Sequence, residues 1–126
     1  MTAELDAKEL LDHESIPSID SIFTTNIPTE QVDETADTQI LIRDDGSKRD
    51  YLGNDDFWGI TQNVELQIFY AKNLQVDPTS IELQISQCLL DAGWDESTGW
   101  RGRILDPDTQ QLMNTNYFTR TKMKED

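Results

Sequence analysis

Residues 64–70 alternate with a period of two. Val64, Leu66, Ile68 and Tyr70 point one way, and Glu65, Gln67 and Phe69 the other. A period of two in β-branched and aromatic residues predicts a half-buried strand. We place it over 60–70 as the central strand of a sheet. Just before it, Gly53, Asn54 and Gly59 surround Asp55, Asp56, Phe57 and Trp58. This is turn chemistry holding two large apolar side chains, so a long loop or hairpin feeds the strand.

The rest of the chain follows from the same patterning. Residues 3–14 predict a short amphipathic helix with a weak stripe of Leu5, Leu10 and Leu11, broken at 15–18 by Ser-Ile-Pro-Ser. Ile19, Ile22 and Phe23 are spaced for a second short helical turn before Ile27-Pro28. Residues 29–37 are polar and acidic and read as an exposed linker. A first strand is expected over 38–43, followed by a strong turn signal at Asp44-Asp45-Gly46-Ser47. Residues 48–59 are then either the return of that turn or a protruding loop.

Asp77 and Pro78 supply an N-cap and a first helical residue. Ile81, Ile85, Cys88, Leu89 and Ala92 share one face of the predicted helix 79–92, and Gly93 suits a left-handed C-terminal cap. A turn over 94–99, a strand over 100–105 stopped by Asp106-Pro107-Asp108, and a strand over 117–123 complete the chain.

The order helix, strand, strand, helix, strand, strand predicts an α+β fold. We expect an antiparallel sheet of about four strands, with one long helix (79–92) and a short N-terminal helix packed on one face. A single domain spans 1–126: an acidic helical and extended segment (1–37), the α+β core (38–123) and a charged tail (124–126).

Charge narrows the function classes. The net charge is −15, from 25 acidic and 10 basic residues. Non-specific nucleic-acid affinity comes from neutralising phosphates with Lys and Arg, so this chain repels DNA and anionic membrane on balance. The acidic first twenty residues are the opposite of a secretory leader. No run approaches the roughly 18 apolar residues of a membrane span. Lone Cys88 excludes an internal disulfide and a cysteine-based zinc site. These features predict a soluble protein of a reducing compartment.

Catalytic chemistry is hard to assemble. His13 is the single histidine, so neither a histidine metal site nor a Ser-His-Asp triad can form within the chain. Cys88 falls on the apolar face of the best helix, where a small buried hydrophobe is expected. Three carboxylate clusters offer oxygen ligands: Asp44, Asp45 and Asp50; Asp55 and Asp56; Asp106 and Asp108. None follows a spaced calcium-loop pattern, and turn-forming and solubilising roles account for them. No cofactor or metal is expected, and no enzyme. Arg101 and Arg103, in Gly-Trp-Arg-Gly-Arg, read as exposed arginines on a strand, available to acidic loops of a neighbouring copy. Phe57, Trp58, Trp94 and Trp100 lie at turn-rich positions, suited to core packing or to a subunit interface.

Read in order, these segments resemble a known family. The segments are Ile27-Pro28 after a helical start, the 38–43 strand, the Gly53-Asn54-Asp55-Asp56-Phe57 turn, the 64–70 strand and the capped helix. Asp106-Pro107-Asp108-Thr109-Gln110-Gln111 and Tyr117-Phe118-Thr119-Arg120 complete the set. Together they resemble small tail proteins of long-tailed bacteriophages of lactic-acid bacteria, a group long described as a domain of unknown function. The layout is also similar to tail-terminator (tail-completion) proteins.

The resemblance implies a homohexameric ring at the head–tail junction of a virion, assembled in the host cytoplasm. The major tail tube protein would lie below it and a head-connector (stopper) protein above. DNA would pass through the lumen without specific binding. Candidate contacts are Asp44, Asp45, Asp50, Asp55, Asp56, Phe57, Trp58, Arg101, Arg103 and Arg120. Two other readings stand beside it: another head–tail completion protein, or an acidic inhibitor that mimics DNA.

Overall fold

Strand β3 (Trp58–Phe69) is the spine of the sheet. Val64, Leu66 and Ile68 are completely buried along one face, with Tyr70 just beyond, as the alternation predicts. The computed structural model describes residues 2–32, 34–51 and 58–123, with 49–51, 58 and 123 described by backbone alone. β2 (Gln39–Tyr51) and β6 (Leu112–Met123) flank β3 in antiparallel pairings. β1 (Ser21–Thr24) lies outside β2, while β4 (Asp95–Glu96) and β5 (Ile104–Leu105) both pair with β6.

The expected antiparallel sheet of about four strands is therefore wrong. Among the described residues the sheet has six strands and is mixed, because β1 runs parallel to β2, and there are three helices. Residues 21–24 form a strand where a helical turn was expected from Ile19, Ile22 and Phe23. The i, i+3, i+4 spacing of those apolar residues is helical, and the backbone partners offered by Gln39–Ile42 override it. A parallel neighbour requires a crossover of about a dozen residues, and 25–38 provide it. That segment is no free linker. It contains α2 (Thr29–Val32), accepts a hydrogen bond from Gln39 Nε2 at Gln31 O (3.1 Å) and another from Lys72 N at Thr35 O (2.9 Å).

The Asp44–Ser47 turn signal marks a bulge instead of a hairpin end. The β2–β3 register shifts there. Gly46 takes φ 99°, and its N–H donates to Asp44 Oδ1 at 3.1 Å. A glycine with positive φ serves a bulge as well as a turn. The strand continues to Tyr51, opposite Trp58; residues 52–57 lie outside the described residues.

The 100–105 strand shrinks to Ile104–Leu105, and Asp95–Glu96 pair where a turn was expected. Gly99 and Gly102, at φ 80° and 110°, interrupt a continuous ladder. β6 starts at Leu112 instead of Tyr117, because Asn114 and Asn116 occupy buried strand positions that read as loop in sequence.

Two helices cover one face. α1 (Ala3–Glu14) buries Ala3, Ala7 and Leu11, a stripe narrower than the leucines suggested, and leaves Leu5 exposed. α3 (Pro78–Asp91) buries Ile81, Ile85 and Leu89. Burial of each such side chain stabilises the fold by about 1.5–3 kcal/mol. Asp77 Oδ1 accepts from Thr79 N at 3.0 Å to cap α3. Gly93 N to Leu90 O and Trp94 N to Leu89 O close its end in a Schellman motif, which delivers Trp94 fully buried to the core. No helix among the described residues is long and apolar enough to cross a membrane.

Candidate interaction surface

Three polar networks tie the elements together, and each consumes groups with chemical potential. The deepest centres on Glu82, whose side chain is only 7% exposed. Helix α3 places it one residue from Ile81, facing the sheet. Tyr70 donates its hydroxyl to Oε2 at 2.5 Å and Asn114 Nδ2 donates to the same oxygen at 2.8 Å. Arg103 grips both oxygens, Nε to Oε2 at 3.0 Å and NH2 to Oε1 at 2.8 Å, and also reaches Thr79 at 2.7 Å. Burial, then the bond to Glu82, drives the Tyr70 pKa far above the ordinary phenol range. The bond to Glu82 also raises the Arg103 pKa. A carboxylate with its lone pairs occupied and a tyrosine locked neutral form a clamp, not an acid–base pair.

The second network holds Arg120. Its guanidinium donates to Asp6 at 2.5 Å and to Gln62 at 2.9 Å, and its centre lies 4.5 Å from the Trp94 ring centroid. β6 is thereby fastened to α1 and to the end of α3. The third lies on the opposite face of the sheet, where Tyr117 donates to Glu65 at 3.0 Å and Arg43 approaches Glu65 at 3.8 Å. The hydrogen bond to Glu65 raises the Tyr117 pKa; Asp45 adds to the rise and Arg101 opposes it. Trp94 Nε1 and Asn116 Nδ2 are buried without a hydrogen-bond partner among the described residues.

The candidate contact residues divide accordingly. Arg103 and Arg120 are spent inside the chain, although the sequence offered them to a neighbour. Arg101 is exposed, its backbone N–H bonded to Thr115 O at 2.9 Å. Asp44 and Asp45 are exposed at the bulge. Asp50 pairs by backbone with Gly59, and Trp58 opens β3 opposite Tyr51. Asp55, Asp56 and Phe57 lie outside the described residues. The Cys88 thiol donates to Leu10 O at 3.6 Å, and burial pushes its pKa up, assisted by Glu14 and Asp91; it is held as a thiol between two helices. Among the described residues no group of three His, Cys, Asp or Glu converges.

Sequence reasoning missed Glu82, Asn114 and Asn116. A signal was present: Glu82 and Ile85 share the apolar face of a helix with Leu89, and a carboxylate on such a face needs a buried partner.

The surface left for contact is the arm formed by β2, β3 and β6. Val64 opposite Phe118 is its last rung with two fully buried side chains; Arg120 beyond it still meets Asp6 of α1, and pairing continues to Tyr51, Trp58 and Met123. Open grooves lie elsewhere among the described residues, including ones of about 390 and 310 Å³ beside Leu10 and Leu74. Another of about 600 Å³ runs between α1 and β1, and one of about 200 Å³ lies under Ile27, Val32, Leu41 and Phe69. No curated protein matches the sequence significantly. A family model described as a protein of unknown function (DUF806) matches residues 3–123. With nearly the whole chain covered, this protein belongs to that family.

Proposed function

We propose that this chain is a structural virion protein, a tail terminator that forms a ring capping the tail tube and joins the tail to the head connector. The reading starts from the sequence resemblance. The observation that carries it further is the three-stranded arm, which extends past the helix-covered core with strand edges unpaired among the described residues. Ring closure needs one face to meet a different face, and an arm with free edges is suited to that. The interior supports a structural role, because Glu82, Tyr70, Arg103 and Arg120 serve as internal clamps. The net charge of −15 suits a lumen through which DNA slides without adhering.

Electron microscopy of particles made by a phage lacking this protein tests the reading. Abnormally long tails, or tails of normal length that fail to join heads, are expected. Completed tails carrying an open connector would shift the role to head completion, and unchanged virions would refute both.

A further inference from the structure

Leu41 and Phe69 alternate with the core residues Ile40, Ile42 and Ile68, so they lie on the face of the sheet opposite α1 and α3. They floor a groove that the three polar networks leave open. Ile27 and Val32 of the crossover form one wall, and the turn before β6, with Asp106 and Asp108, forms the other. Val32 is 39% exposed, so this apolar surface meets solvent. Thr25 and Gln110 lead into the two walls with left-handed backbone, at φ 71° and 63°, a conformation that persists only where the surroundings enforce it. The groove holds about 200 Å³. That is below the roughly 300–1,000 Å³ of small-molecule sites and suits one long side chain.

Two buried glutamines, Gln39 and Gln111, also line it. Gln39 donates its amide to Gln31 O at 3.1 Å, and Gln111 donates to Tyr70 O at 3.2 Å and Asp37 O at 3.4 Å. Neither Oε1 accepts a hydrogen bond among the described residues, and neither is sealed from solvent as Trp94 Nε1 and Asn116 Nδ2 are. The groove that both residues line is where such oxygens stay reachable. Charge points the same way. Residues 26–37 and 106–111, which supply both walls, contain six carboxylates (Glu30, Asp33, Glu34, Asp37, Asp106 and Asp108) and no base. Asp33 lies outside the described residues. The other five have no ion-pair partner among the described residues. Lys72, whose backbone N–H donates to Thr35 O, lines the separate groove of about 310 Å³.

We propose that this groove receives a cationic side chain, arginine or lysine, from a partner protein. The methylene stem lies along Ile27, Val32, Leu41 and Phe69, and the charged head meets the Asp106–Asp108 rim and the glutamine oxygens. A purely apolar side chain fills the floor but leaves the carboxylates unanswered, and an anionic one is repelled. Such a site is independent of the tail-terminator reading.

Nuclear magnetic resonance titration of the full chain with N-acetyl-arginine amide tests it. N-acetyl-norleucine amide is the neutral apolar control, and N-acetyl-lysine amide ranks the two head groups. The arginine probe should shift the backbone amides of Ile27, Val32, Leu41 and Gln111 along one saturable curve, and the norleucine probe should bind at least about fivefold more weakly. Asp108 is exposed, so Asp108→Asn should leave the fold intact and weaken the arginine probe by about fivefold, the upper range for one exposed charge. Asp108→Lys should abolish saturation. Unchanged resonances away from the turn confirm folding of both variants. Norleucine binding as tight as arginine binding, or no saturation at these residues, overturns the proposal. So does binding that survives Asp108→Lys. Unsaturable shifts spread over the whole chain overturn it too, since they mark general attraction of a cation to a net charge of −15.

Discussion

Glu82 joins helix α3 to β6 and to the 97–105 segment through Tyr70, Arg103 and Asn114. Removing one partner of a buried ion pair leaves the others desolvated and unmatched. Glu82→Ala should therefore destabilise by about 3 kcal/mol, read as a lower denaturant midpoint. Glu82→Gln should be milder, since an amide oxygen can still accept from Tyr70. The same clamp sets an alkaline limit. Tyr70 has a higher pKa folded than unfolded, where phenols titrate near 10.0. The folded state thus holds this proton more tightly, and its stabilising contribution is complete below pH 10 and falls as pH rises beyond it. Denaturation midpoints followed from neutral to strongly alkaline pH should decline, and Tyr70→Phe should flatten part of that decline. At this scale the sequence marked the apolar neighbours of Glu82 but not its partners. Those come from residues 12, 21 and 32 positions away, brought together only by folding.

Helix α3 was legible because its signals are local. Asp77, Pro78 and Gly93 act within a turn of the residues they cap, and Ile85, completely buried, is placed by helical period alone. Ile85→Asp puts an unpaired carboxylate among Ile and Leu side chains and should abolish the cooperative thermal melt; an unchanged melt would remove the helix from the core. β1 was not legible, because Ile19, Ile22 and Phe23 carry a helical spacing that pairing with the neighbouring Gln39–Ile42 strand overrides. The Asp44–Ser47 bulge lies between these cases: its chemistry was visible, but whether the chain reversed or continued depended on Ser47–Tyr51 finding Trp58–Gln62. At Gly46, φ 99° disfavours any side chain even though no atom lies within 4 Å of an added Cβ. Gly46→Ala should cost about 1 kcal/mol in a chemical-denaturation experiment, with loosened pairing beyond the bulge seen by amide exchange.

Acid concentrates in residues 1–37, which hold ten carboxylates against Lys8. On the tail-terminator reading, Phe57→Ala with Trp58→Ala should leave a folded protein with an ordinary melt and abolish tail completion in a complementation assay. Retained completion would remove these two residues from the contact. What the sequence determined by itself was whatever short-range chemistry controls: the α3 helix with its caps, the inward set of Val64, Leu66 and Ile68, the acidic balance, and the lack of a second histidine or cysteine. The tertiary structure decided the parallel β1, the long arm, the burial of Glu82 and the capture of Arg103 and Arg120. Each depends on partners far away in the chain. Backbone hydrogen bonds and buried charges take their energy from whichever partner the fold supplies, and local pattern does not encode that partner.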